Sequence, residues 1–276
     1  MLFQFQLRPV ADVAPWGNEG DYSVSWFGLT DGWYWLKCGD AELFRYTDAA
    51  LKIWAANGIE VSDQPYVDYQ VVRLWEDILQ MLPDILDPIP ERLLRKIEPG
   101  LEAYQWHGQI AELVFTDERD VSKQTEDQFD LAITWLQNRK LDSLYLKEGP
   151  KIWFWSDGTT IFIRWDNTDL KLDGHDMWAS LKGTYSMPIE TFLEEVKSFD
   201  QRLIKAMDER VQSVQRSWDR PWIRIDKESV LAEQEERATA LSEALRRVES
   251  KSTGWDEIVD AVDYFEWLGC PLPKTH

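Results

Sequence analysis

Three aspartates stand close to tryptophans in this sequence: Asp31 near Trp33, Asp157 near Trp155 and Asp166 beside Trp165. Paired carboxyls against an aromatic ring are the equipment of a glycosidase, in which one acid protonates the leaving oxygen and the other supports the sugar cation. Asp31-Gly32 and Asp157-Gly158, however, are turn dipeptides, and turn stereochemistry accounts for both aspartates without any reaction. Other catalytic sets are missing. His107, His175 and His276 have neither His-Glu-x-x-His nor zinc-ligand spacing, and there is no Gly-x-Ser-x-Gly elbow. The 14 glycines never form Gly-x-Gly-x-x-Gly or a Walker A loop, so nucleotide phosphates find no cradle of backbone amides. The acidic loop from Asp166 to Asp176 is rich in oxygen ligands, but Lys171 and Ser180 stand where an EF-hand starting at Asp169 needs a carboxamide or carboxylate and a bidentate Glu. No catalytic residue, metal ligand or cofactor is assigned on these patterns, and the balance leans away from an enzyme.

Two surfaces remain as binding candidates. The first is aromatic. Asp31-Gly32 between alternating apolar runs predicts a two-residue hairpin turn, which places Trp26, Trp33 and Trp35 on one face. The stretch Trp153 to Trp165 repeats the idea around Asp157-Gly158, pairing Trp155 with Thr160 and Trp153 with Phe162, with Arg164 at the end of the same face. Such rings can stack a planar or sugar ligand, with Arg164 as an anion anchor, or form a hot spot for a protein partner. Their competing use, packing beneath helices, is the commoner one for so many tryptophans. The second surface is the acidic row Asp256, Asp260, Asp263 and Glu266, spaced about one helical turn apart on the outside of an amphipathic helix.

The totals bound the rest. The 276 residues carry 50 acidic and 30 basic side chains, a net charge of −20, which repels nucleic-acid phosphates and anionic membranes and attracts a basic protein. Acidity also keeps a chain with 16 tryptophans soluble. Cys38 and Cys270 form no disulfide framework, Met1 to Pro9 lacks the pattern of a signal peptide, and no window is long and apolar enough to span a membrane. The expectation is a cytoplasmic protein of unassigned oligomeric state.

The elements that must position these residues read as an α+β fold: antiparallel β-meanders, in two hairpin-centred modules, packed by several long helices. Phe3, Phe5 and Leu7 open a first strand, the hairpin follows, and Gly39-Asp40 turns into a further strand. Thr47 caps a helix that Asn57-Gly58 stops, and Val71 to Leu82 carries an apolar stripe. Strands expected at Leu144–Leu146, 151–156, 159–165 and 178–186 precede a helix whose Ile189, Phe192, Leu193, Val196, Phe199, Leu203, Met207, Val211, Val214 and Trp218 keep three/four spacing. Asp226 caps another helix, and Gly254 precedes the last. The chain is expected to be one compact α+β unit over 1–276, with an internal boundary near 116–124 between two meander-plus-helix halves.

The residues Trp26-Phe27-Gly28-Leu29-Thr30-Asp31-Gly32-Trp33-Tyr34-Trp35, Tyr66 to Asp77, Ile152 to Trp155 and Ile163 to Asn167 resemble a bacterial domain-of-unknown-function family, number five-nine-eight-four, over most of the chain. That resemblance implies a bacterial, intracellular protein and carries no activity, so no catalytic residue comes with it. In character the chain is also similar to immunity proteins that neutralise toxins, which is an analogy and no motif match. The leading expectation is an acidic protein-interaction module of immunity or antitoxin kind, binding and blocking a basic effector. A small-ligand module with a Trp-lined pocket is the alternative, and a carboxylate-based hydrolase ranks third.

Overall fold

Two stretches of strand, one near each end of the chain, pair in parallel: Ser23–Val24 with Arg224–Ile225. That pairing belongs to the first of two contact-dense units, which are interleaved along the sequence. In the computed structural model, which describes residues 1–115 and 123–273, the first unit comprises Met1–Gln80, Leu170–Ser180 and Glu190–Arg246, and the second Met81–Asp169, Leu181–Ile189 and Arg247–His276. Of the internal boundary expected near 116–124, residues 116–122 lie outside the described residues, and Lys123 and Gln124 begin the helix Lys123–Gln137. The fold is α+β, with antiparallel sheets and helices in both units.

In the first unit the strand Asp31–Cys38 is central. Phe3–Leu7 pairs along one edge, while Ala41–Leu43 and Val67–Gln70 share the other. The Gly39-Asp40 turn closes Asp31–Cys38 onto Ala41–Leu43 as expected, with Gly39 at φ 63°. The hairpin expected around Asp31-Gly32 is not formed. Residues Gly28–Thr30 make a 3-10 turn, and Asp31 and Gly32 already lie in the strand, opposite Gln70 and Leu7. Gly32 is needed for a different reason: a Cβ there would stand 2.2 Å from the Gln6 carbonyl oxygen and 2.8 Å from Leu7 Cα. Close approach of the neighbouring strand, not a positive φ, selects the glycine.

The helix Ile189–Arg216 lies on this sheet and buries seven of the ten expected stripe positions, Phe192, Val196, Phe199, Leu203, Met207, Val211 and Val214, while Ile189 and Leu193 are half-buried and Trp218 lies beyond its end. Phe3 stacks on Phe199 at 5.1 Å between ring centroids, and Phe5 meets the same ring at 5.7 Å. Arg202 donates to the Phe3 carbonyl (2.6 Å), and Arg210 to the Leu29 carbonyl (2.5 Å), so the helix satisfies backbone acceptors of the segments it covers. The Thr47 and Asp226 caps form as expected, accepting from the amides of Ala50 and Ser229.

The second unit has a three-stranded sheet in the order Lys182–Pro188, Thr160–Asp166, Ile152–Ser156. Its hairpin turn is two residues longer than the tight turn expected. Trp155 pairs with Phe162, Trp153 with Arg164 and Ser156 with Ile161. The Asp157 carboxylate holds the longer turn by accepting from the amides of Thr159 (2.8 Å) and Thr160 (2.9 Å), and Gly158 supplies φ 100°. A shift of two residues preserves each side chain's face, so the aromatic face survives the wrong register. Helices Leu101–Phe115, Lys123–Gln137 and Trp255–Trp267 build a common core with that face. No strand forms at Leu144–Leu146; Leu144 is 90% exposed.

Candidate functional site

Of the tryptophans expected to form a platform, all but the half-buried Trp35 are core residues. Trp26, Trp33, Trp153 and Trp155 are buried. Trp26 donates to Gln234 Oε1 (2.8 Å) and Trp33 to Ser62 Oγ (2.7 Å), while Trp35 stacks face to face on Tyr66 at 4.1 Å. Trp153 and Trp155 sit in the core of the second unit, Trp155 stacking on Phe162 at 5.4 Å. Arg164, expected as an anion anchor, ion-pairs with Glu98 (2.7 Å) and donates to the Pro99 carbonyl (3.3 Å). The reason is the amount of helix available: rings on the sheet faces are covered wherever a helix packs there, and burial of each contributes far more than a ligand face left wet.

The carboxylates near tryptophans are likewise engaged. Arg8 bridges Asp31 (2.9 Å) and Asp68 (2.6 Å) and lies over the Trp33 ring at 4.5 Å. Burial raises the Asp31 carboxyl above its ordinary range despite Arg8. The guanidinium occupies the space between the two acids, where a glycosidase needs an open cleft. Burial also pushes Asp157 and Asp166 upward, but hydrogen bonds outweigh it: turn amides hold Asp157 low, and Thr168 with Lys182 hold Asp166 low. Among the described residues no group of three or more His, Cys, Asp and Glu is arranged to hold a metal ion, and no helix is long and apolar enough to cross a membrane.

The acidic row lies where the periodicity placed it, on the exposed side of Trp255–Trp267, whose Ile258, Val259, Ala261, Val262 and Phe265 are buried. Part of it is neutralised within the unit. Arg92 pairs with Asp256, and Lys96 with Asp263 (2.5 Å) and Glu266 (3.8 Å). Asp260 and Glu257 make no ion pair among the described residues. The helix holds five carboxylates and not one lysine or arginine.

Sequence reasoning read a helix through Phe129, Ile133, Trp135 and Leu136 but did not join it to the acidic row. Lys123–Gln137 packs on Trp255–Trp267, with Trp135 and Trp255 edge to face at 6.3 Å and the Thr125 and Tyr264 hydroxyls 3.1 Å apart. It adds Glu126, Asp127 and Asp130, all exposed, to the acidic surface. Beside the contact the two segments leave an open groove of about 510 Å³, whose lining includes Asp84, Arg139 and Lys251. The signal was present as a second stripe on Lys123–Gln137, Asp127, Leu131, Thr134 and Asn138, which reads as ordinary solvated surface until its partner segment is known.

A family model described as a family of unknown function matches residues 2–261. No curated protein and no solved structure matches the chain.

Proposed function

The chain belongs to that family, DUF5984, and, there being no activity to carry over from it, we propose that the chain is an acidic protein-interaction module of the immunity or antitoxin kind, which binds and blocks a basic effector. The observation that carries this reading is the helix Trp255–Trp267, with five carboxylates and no cation, packed beside a second helix that exposes three more. Arg92 and Lys96 offset only part of that charge. A surface of this kind raises the local concentration of a cationic partner and accelerates encounter, and its carboxylates can stand where a basic groove would otherwise hold phosphates.

The test is recovery of the tagged full-length chain from its source cell at low ionic strength, followed by reconstitution. One basic protein co-purifies in stoichiometric amount, is released as salt is raised, and loses its own activity when the purified chain is added back. Recovery of no basic protein, or of one whose activity the chain leaves unchanged, overturns the reading.

A further inference from the structure

The groove in the second unit is lined from one side by the helix Lys123–Gln137 and from the other by the stretch from Lys251 to Ile258. The helix contributes Asp127, Asp130, Leu131, Thr134, Trp135 and, just past its end, Asn138. These recur at intervals of three and four and so form one continuous face. Phe129, Ala132, Ile133 and Leu136 enter the core, and Trp135 belongs both to that core and to the groove lining. The eleven steps from Asp127 to Asn138, at a rise of about 1.5 Å each, make this face about 16 Å long, roughly three helical turns.

Its chemistry is divided lengthwise. The floor is apolar: Trp135 and Ile258 are buried, and Leu131 is half-buried beside them. The rim is anionic: Asp127, Asp130 and Glu257 are exposed and form no ion pair among the described residues. The lining cations are both engaged by other groups. Lys251 Nζ stands 2.9 Å from Asp84 Oδ1, and the buried Arg139 donates to the Trp135 carbonyl (2.8 Å) and lies 3.8 Å from the same Asp84 oxygen. Glu257 is placed by its helix, in the first turn, where the helix dipole favours a carboxylate; it folds back so far that a Cβ at Gly254 would fall 2.9 Å from its Oε2.

We propose that this groove docks a cationic amphipathic segment of a protein partner, the apolar side chains of the segment lying on Trp135 and Ile258 and its lysines or arginines reaching Asp127, Asp130 and Glu257. The inference rests on the reading of the chain as a module for a basic partner and names the surface and the segment chemistry. Charge complementarity selects the occupant. An acidic segment meets three carboxylates that have no ion pair among the described residues, and a purely apolar one brings the rim no counter-charge. Lysine and arginine alone combine a long apolar stem, which covers the floor, with a cation that reaches the rim.

The probe is a fluorescein-labelled twelve-residue helix-forming peptide of lysine and leucine, measured by anisotropy against the full chain at low and at physiological ionic strength. Two control peptides replace its lysines by glutamate or its leucines by glutamine. The lysine–leucine peptide binds, and neither control does so comparably. Asp127→Asn, Asp130→Asn and Glu257→Gln together weaken binding about tenfold or more, and Thr134→Trp, which fills the groove from an exposed position without changing any charge, does the same. Glu60→Gln, an exposed carboxylate that does not line the groove, leaves it unchanged, and circular dichroism of each variant verifies the fold. Equal binding of the glutamine control, or undiminished binding by Thr134→Trp, overturns the groove. A basic partner captured equally by wild type and Thr134→Trp removes the groove while retaining the module; a wild-type chain that captures no basic partner removes the module itself.

Discussion

Replacing Arg139 by methionine tests how the groove lining around Asp84 and Trp135 is held together. The guanidinium has a side chain only 1% exposed, and burial lowers its pKa to about 10 against the pull of Asp84 and Asp87, so it remains a cation at neutral pH. It donates to the Trp135 carbonyl at 2.8 Å and to the Asp87 carbonyl at 3.0 Å, and lies over the Trp255 ring at 5.1 Å. Methionine keeps most of the volume and removes every donor. The Asp84 carboxylate retains Lys251 at 2.9 Å, but Asp87, whose Oδ2 already lacks a hydrogen bond, loses the cation 3.7 Å away. Two buried carbonyls left without donors cost about 1–3 kcal/mol each, and removing one member of a buried ion pair costs about 3–5 kcal/mol in total. These overlap, so about 4 kcal/mol is expected. With a urea dependence of about 2 kcal/mol/M, the midpoint of the transition falls by about 2 M. Far-ultraviolet circular dichroism against urea measures it, and Arg139→Lys, which keeps the charge but cannot span both carbonyls, falls between. A midpoint within about 0.5 M of wild type refutes the reasoning, because it means that neither acceptor depended on the guanidinium.

Three further outcomes follow from the same kind of argument. Burial raises the Asp200 carboxyl although Trp75 Nε1 donates to it at 3.1 Å; a raised folded pKa means that stability present below the unfolded carboxyl pKa is lost as pH rises through the folded one. Asp200→Asn, which keeps the acceptor, is therefore more stable than wild type at pH 7 and loses that advantage in acid, as urea midpoints at the two pH values will show. His107 is half-buried against Tyr104 and Phe129, and burial lowers its pKa from the ordinary 6.5. Its contribution is present above that value and lost as pH falls through the folded pKa; His107→Gln flattens the decline of the urea midpoint below pH 6.5. An unchanged slope would discard the assignment. Gly32→Ala places a Cβ 2.2 Å from the Gln6 carbonyl oxygen, where only backbone can yield. About 3 kcal/mol or more of stability is lost, a fall in Tm of about 6–12 °C by calorimetry, and a fall under about 2 °C contradicts the close approach.

Local chemistry written within a few residues was readable in advance. The Thr47 and Asp226 caps, the Gly39-Asp40 turn, the stop at Gly58 and the stripe of Ile189–Arg216 each depend on spacing along one element. The second hairpin shows the limit of that reading. Its faces were legible because alternation determines them, whereas its register was not, because Asp157 organises a longer turn through amides that no dipeptide signal reveals. At Asp31-Gly32 the strongest local hairpin signal is overridden altogether: two partner strands, one of them at the N-terminus, flank Asp31–Cys38, and pairing with both outweighs a turn preference. The groove was hidden for a related reason. Asp127 and Asp130 look like solvated residues of a surface helix, and only the packing of residues 251–258 beside them, far along the chain, gives them an apolar floor and a third carboxylate.

The parallel pairing of Ser23–Val24 with Arg224–Ile225, and the stacking of Phe3 on Phe199, have a consequence for biosynthesis. The first 80 residues of the first unit cannot complete their sheet-to-helix contact, nor gain that parallel partner, until residues beyond 225 have left the ribosome. At about 5–20 residues per second, the wait is on the order of ten seconds, during which Phe3, Phe5 and the strands around them remain uncovered. Nascent chains stalled before residue 190 should therefore engage holding chaperones and be cut readily by protease, whereas chains extended past the second strand of that pair become resistant. The timing of maturation is thus set by the return of the chain to its own beginning.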